Sequence, residues 1–175
     1  ETCRKAQIRV VMITGDSPIT AYAIGHQLKL VSREEDVMSG DEIDTLNDDQ
    51  LLQACKRVRI FARVSPEHKV RLVESFKKNG GIVAMTGDGV NDAPALKSAD
   101  IGIAMGENGS DVCKSASDIL LTDDNFKTIV TAVEAGRNIY LKIQKAVYYL
   151  LSCNLGEIMT LFLAVLLLPH GVPAL

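Results

Sequence analysis

Eleven residues at 86–96, TGDGVNDAPAL, set Asp88, Asn91 and Asp92 around Gly87 and Gly89, directly behind a short apolar run at 82–85. Carboxylates at the C-terminal edge of a strand are suited to holding Mg²⁺. Glycines there let the backbone turn sharply and approach a bound phosphoryl group with no Cβ in the way. An isolated Gly-Asp-Gly reads as an ordinary turn between a strand and a helix. Eleven residues of this kind are far more specific, and they point to a phosphate and magnesium site.

Two more positions fit the same chemistry. Thr14 ends an apolar run and can offer its hydroxyl and backbone N–H to a phosphoryl oxygen, with Gly15 permitting close approach. Lys69 supplies a flexible point charge that can neutralise developing negative charge on that group, or it is a solvated helix lysine. Asp16 either caps the helix that follows or touches phosphate. A separate pair, Asn154 and Glu157, lies three residues apart inside an apolar stretch, with Ser152 and Thr160 flanking it, and shares one helix face.

The elements that must position these groups follow from periodicity. Short apolar strands are expected at 8–13, 59–62, 82–85, 101–104 and 119–121, with helices at 18–28 and 66–78 between them. Strands alternating with helices argue for βαβ units and a parallel sheet. Each of the two helices has a Ser before a Pro, an N-cap followed by proline at the first helical position. Val70, Val73 and Phe76 are spaced to face a sheet. The acidic stretch 39–54 reads as a surface loop and short helix. From Phe126 the pattern becomes one long helix, weakened slightly by Gly136.

Apolar residues make up 47% of the 175, unevenly placed. Across the 22 residues 147–168 the only formal charge is Glu157. At about 1.5 Å per residue the stretch is roughly 33 Å of helix, enough for a hydrocarbon core about 30 Å thick. A carboxylate there on an isolated helix costs about 2.5 kcal/mol or more, which favours an ion path, although a polar helix-packing contact also accounts for Asn154. Arg137, Lys142 and Lys145 precede the span and no Lys or Arg follows it, placing residues 1–146 in the cytoplasm. The net charge of −3, with no long basic run, gives no footprint of a nucleic-acid binder. Cys3, Cys55, Cys113 and Cys153 lack CxxC spacing, so neither a zinc site nor a disulfide framework is expected.

TGDGVNDAPAL resembles the hinge signature of the P-type cation-transporting ATPases, whose phosphorylation domain belongs to the haloacid dehalogenase-like superfamily. Thr14-Gly15-Asp16 is similar to that family's TGD motif. Residues 61–69, FARVSPEHK, are similar to its FAR-x-x-P-x-x-K segment, and DIGIAMG at 100–106 also matches. The motifs stand in the family's order and span nearly the whole chain. The resemblance implies an α/β haloacid dehalogenase-like Rossmannoid fold, a parallel sheet with flanking helices, continuing into a stalk and a membrane helix. It implies Asp88 as a Mg²⁺ ligand, with Asn91 and Asp92 ordering the site beside Thr14, Gly15 and Lys69, and Asp16 among the groups that bind the phosphoryl donor ATP. It also implies an aspartyl-phosphate intermediate, yet the nucleophile motif Asp-Lys-Thr-Gly-Thr is absent, as are the nucleotide-binding and actuator motifs. The expectation is therefore a piece of a pump, inactive alone, whose partners are those domains, other transmembrane helices and the lipid bilayer.

The expected divisions are a partial phosphorylation domain at 1–125, a stalk at 126–146, a transmembrane helix at 147–168 and the start of an extracytoplasmic loop at 169–175. The stretch SCNLGE at 152–157 resembles the fifth transmembrane helix of calcium pumps of the sarco/endoplasmic reticulum type and their bacterial relatives, in which Asn and Glu at these places are ion ligands. Gly156 stands where sodium/potassium pumps usually carry Pro, which tilts the expected cargo towards Ca²⁺. A soluble phosphatase of the same superfamily, or an inert membrane-anchored binding piece, are the rival readings.

Overall fold

The computed structural model describes residues 2–167. The expected loop at 169–175 and position 168, the last of the expected span, lie outside the described residues. The described chain divides into two units, one ending at Thr128 and the other beginning at Ile129.

The first unit alternates strands and helices. A short helix α1 (Thr2–Lys5) precedes β1 (Met12–Ile13) and α2 (Pro18–Gln27). A 3-10 turn (Glu34–Asp36) leads into β2 (Val37–Ser39), α3 (Gly40–Thr45), α4 (Asp48–Arg57) and β3 (Ile60–Ala62). There follow α5 (Pro66–Lys78), β4 (Ala84–Gly87), a second 3-10 turn (Val90–Asp92), α6 (Ala93–Ser98), β5 (Ile101–Met105), α7 (Asp111–Ala116) and β6 (Ile119–Leu121). All pairings are parallel, in two three-stranded sheets of order β1-β3-β2 and β4-β5-β6. Thus β1 and β4 are edge strands among the described residues.

Several boundaries move from their expected places because a strand extends only as far as its partner. β1 is confined to Met12–Ile13, in register with Ile60 and Phe61, instead of starting at residue 8. β4 begins at Ala84, opposite Ile101, and Ile82 is left exposed. β2 was not expected at all. It pairs with β3 (Met38 opposite Phe61) although its three residues carry no alternating pattern of their own. The acidic stretch expected as surface loop and short helix holds two helices that bury Ile43, Leu51 and Cys55 completely. Capping boxes Ser39/Glu42 and Asn47/Gln50 start them.

α5 joins the two halves of this unit. Adjacent residues Leu72 and Val73 are both buried, Leu72 in the cluster that includes Phe61 and Leu51, and Val73 in the cluster that includes Met85 and Leu96. Ile13 of β1 packs against both clusters. A helix wedged this way has its start fixed from both sides, which matters because Lys69 is in its first turns.

α8 (Phe126–Leu167) is a single helix of 42 residues with no buried residue. It is long and apolar enough to cross a membrane by length and composition.

Candidate functional site

Parallel strands direct their C-terminal ends, and the turns that follow, to one edge of a sheet, where α/β proteins bind ligands. Thr14 follows β1, and Asp88, Asn91 and Asp92 follow β4. The turn after β4 is built around Asp92, which is 7% exposed. Its Oδ1 accepts a hydrogen bond from Lys69 Nζ at 2.5 Å, and its Oδ2 accepts one from the Gly89 N–H at 3.2 Å. Both carboxylate oxygens are therefore committed. The lysine and the carboxylate are 16% and 10% exposed by side chain, so this ion pair, formed across 23 residues of chain, is largely desolvated. A desolvated pair of this kind is held by geometry, and loss of either partner leaves an uncompensated charge.

Of the glycines at the site, Gly87 is the one that a side chain could not replace without a clash. A Cβ on Gly87 would lie 2.5 Å from Asp92 Cβ, so it is the Asp92 side chain that occupies the space at Gly87. Gly15, by contrast, has open space where a Cβ would be.

Asp88 is exposed, and no group among the described residues bonds its carboxylate, while its backbone carbonyl accepts the Ser110 N–H at 2.9 Å. Asn91 is exposed beside it. No group of three His, Cys, Asp or Glu side chains fit to enclose a metal occurs among the described residues. Mg²⁺ does not require one, since it keeps several waters and is commonly held by one or two carboxylates together with substrate phosphate. A free Asp88 next to a fully engaged Asp92 fits that donor set.

Thr14 departs from expectation in one respect. Its N–H donates to the Phe61 carbonyl at 2.9 Å as the last rung of the β1–β3 ladder, so it is not available to a ligand. Its hydroxyl donates to Asp16 Oδ2 at 2.9 Å and accepts the Asp16 N–H at 3.1 Å. Ser17, not Asp16, caps α2, accepting the Thr20 N–H. The structure thus brings Thr14 to Asp16 and Lys69 to Asp92. No hydrogen bond joins the two pairs among the described residues.

A contributor not foreseen from sequence is Cys113, fully buried on α7, whose thiol donates to the Gly89 carbonyl at 2.7 Å. With the Ser110 N–H on the Asp88 carbonyl, it fixes successive peptides of the turn. A six-residue helix offers little periodicity from which to foresee this. In the second unit, Asn154 and Glu157 are exposed on α8, and Thr160 donates its hydroxyl to the Gly156 carbonyl.

The parallel sheets, their flanking helices and the acidic turn after β4 define an α/β protein with polar groups at strand ends, and comparison gives its family. Residues 1–100 match the haloacid dehalogenase-like hydrolase family, and residues 69–133 match a second model of the same description. The chain belongs to the haloacid dehalogenase-like hydrolases. Within them it is homologous to calcium-transporting ATPases of the P-type. It is 56% identical to calcium-transporting ATPase 1 of Bacillus cereus over 94% of this chain and 19% of that protein. It is 50% identical to the endoplasmic reticulum calcium ATPase srcA of Aspergillus fumigatus over 98% of this chain and 18% of that one. The human calcium-transporting ATPase type 2C member 1 is 49% identical over 91% of this chain and 17% of its own length. The chain thus spans less than a fifth of the length of these relatives. In structure it is similar to the catalytic domain of the CPx-ATPase CopB-B, solved in a study of conformational changes upon nucleotide binding. That likeness has a TM-score of 0.56 and 28% identity, over 76% of this chain and 42% of that one.

Proposed function

We propose that this chain is part of an ATP-driven Ca²⁺ pump that works through an aspartyl phosphate formed on a residue outside it. The observation that carries the reading is the desolvated Lys69–Asp92 pair behind an unengaged Asp88 at the end of a parallel strand. In this reading Asp92 aims the Lys69 ammonium, which offsets charge on the transferring phosphoryl group. The open space at Gly15 receives its oxygens, and the Thr14 hydroxyl would turn its proton from Asp16 Oδ2 to one of them while still accepting the Asp16 N–H. Asp88 holds Mg²⁺ with Asn91 beside it. When bound there, the ion would supply positive charge against the phosphoryl group. The nucleophilic carboxylate arrives on a segment of the intact protein free to pair with the open edge of β1 or β4.

The same proposal assigns residues 1–125 to a partial phosphorylation domain, 126–146 to a stalk and 147–168 to a membrane span, with residues 1–146 cytoplasmic. Asn154 and Glu157 supply two of the transported ion's ligands. Ca²⁺ takes six to eight oxygens, so other helices supply the remaining ligands. The nucleotide-binding and actuator domains and the bilayer are the further partners that the similarity to calcium-transporting ATPases supports. The test is Asp88→Asn in the intact pump. Mg²⁺-dependent phosphoenzyme formation from ATP should disappear while ATP binding remains. A normal rate and Mg²⁺ dependence in that variant would end the ligand assignment.

A further inference from the structure

Lys69 follows a helix start of unusual composition. At the head of α5, Ser65 Oγ accepts the His68 N–H at 3.2 Å, and the reciprocal bond comes from an imidazole, where Glu or Gln is the common choice. His68 Nδ1 accepts the Ser65 N–H at 3.3 Å. Since Nδ1 serves as acceptor, the hydrogen-bond network puts the proton of the neutral ring on Nε2, which meets Asp44 Oδ1 at 2.7 Å. The ring side chain is 10% exposed and that of Asp44 65%, so the carboxylate that fixes the proton keeps its own hydration.

Asp44 belongs to α3, and α3 reaches the β3–α5 turn only because its first residue is Gly40. A Cβ there would collide with the Arg63 carbonyl and come within 3.1 Å of His68 Nδ1. The head of α4 shows what a cap alone requires: Gln50 Oε1 accepts the Asn47 N–H at 3.0 Å. A histidine at the equivalent place in α5 does the same and also ties the helix to α3.

We propose that His68 is a positioning residue for Lys69. The Asp44 carboxylate holds the imidazole as its Nε2–H tautomer. Nδ1 then holds the first turn of α5, and the next residue, Lys69, is presented to Asp92 and the phosphoryl group. This rests on the reading of Lys69 given above.

The test uses the intact pump and compares Asp44→Ala, His68→Ala, His68→Gln and Lys69→Ala for ATP affinity and for the rate of Mg²⁺-dependent phosphoenzyme formation. Asp44→Ala and His68→Ala should each slow phosphorylation about tenfold, the low end of what removing an outer partner of an active-site group costs, with ATP affinity unchanged. His68→Gln should recover most of the rate, because one amide supplies both an acceptor for Ser65 and a donor for Asp44. The double Asp44→Ala/His68→Ala variant should be no slower than His68→Ala, since the two act through one link. A full rate in Asp44→Ala overturns the proposal even where His68→Ala fails to fold, because Asp44 is exposed. So does a His68→Gln rate as low as that of His68→Ala. A full rate in Lys69→Ala would instead overturn the reading of Lys69, leaving the two failures distinguishable.

Discussion

The turn after β4 and the middle of α8 carry the same kind of residues at the same spacing. Asp88 and Asn91 are three apart around Gly89, and Asn154 and Glu157 are three apart around Gly156. In the turn, the neighbouring Asp92 is buried, both its oxygens are bonded, and the thiol of Cys113 holds the Gly89 carbonyl. On α8 no residue is buried at all. The difference shows which of the two polar clusters the described chain ties down by its own contacts. A sheet edge recruits partners from α5 and α7 in the same unit. If 147–168 spans a membrane as proposed, the polar pair on α8 needs groups beyond the described residues, since an ionised carboxylate in hydrocarbon costs about 2.5 kcal/mol or more until it is met.

The strongest way to break the comparison is Asp92→Ala, which leaves the Lys69 ammonium largely desolvated and unpaired. It should destabilise the purified full-length protein by about 3 kcal/mol, read from denaturant unfolding, because a buried charge has lost its partner. A loss near that of an exposed ion pair, below about 1 kcal/mol, would mean the turn is as open as α8.

Glu157→Gln tests the other side. In the intact pump it should weaken Ca²⁺ binding about tenfold, equivalent to about 1.4 kcal/mol, and suppress ion-dependent phosphorylation by ATP. Phosphorylation by inorganic phosphate and Mg²⁺, with Ca²⁺ chelated, should persist. Unchanged Ca²⁺ affinity would reduce Glu157 to a packing group.

The smallest effect concerns Asp100, at the start of β5. Its carboxyl is held below the ordinary range, first by the hydrogen bond from the Val83 N–H and then by Lys77. A depressed folded value contributes stability above the unfolded value of about 3.9, lost as pH falls through the folded one. Asp100→Asn should therefore lower stability slightly at neutral pH, where the contribution is fully present, and its curve should converge with that of the unsubstituted protein as pH falls below about 4, which flattens the acid limb.

Legibility in the sequence tracked how local each signal was. The helix at Pro66–Lys78 was expected at the bounds it has, because Ser65 and Pro66 mark its start and Val70, Val73 and Phe76 its inner face. The starts of α3 and α4 were equally readable, as Ser39 with Glu42 and Asn47 with Gln50 are capping-box patterns, yet the acidic composition masked them. β2 had no such signal. It is a strand because β3 lies beside it, and Met38 earns its place only opposite Phe61.

For the site the division is sharper. Residue types and spacing along 86–96 and 147–168 were enough to nominate Asp88, Asn91, Asp92, Asn154 and Glu157, since a glycine-flanked carboxylate and an apolar run are properties of contiguous chain. Tertiary structure alone decided what each carboxylate does with its oxygens. It gave Asp92 to Lys69 and the Gly89 N–H, left Asp88 free, turned the Thr14 N–H into a rung of the β1–β3 ladder, and set Asp44 against His68. Those partners lie 20 or more residues apart in all but the Gly89 contact, and hydrogen bonding over such separations depends on how parallel strands and α5 pack, which no local pattern encodes.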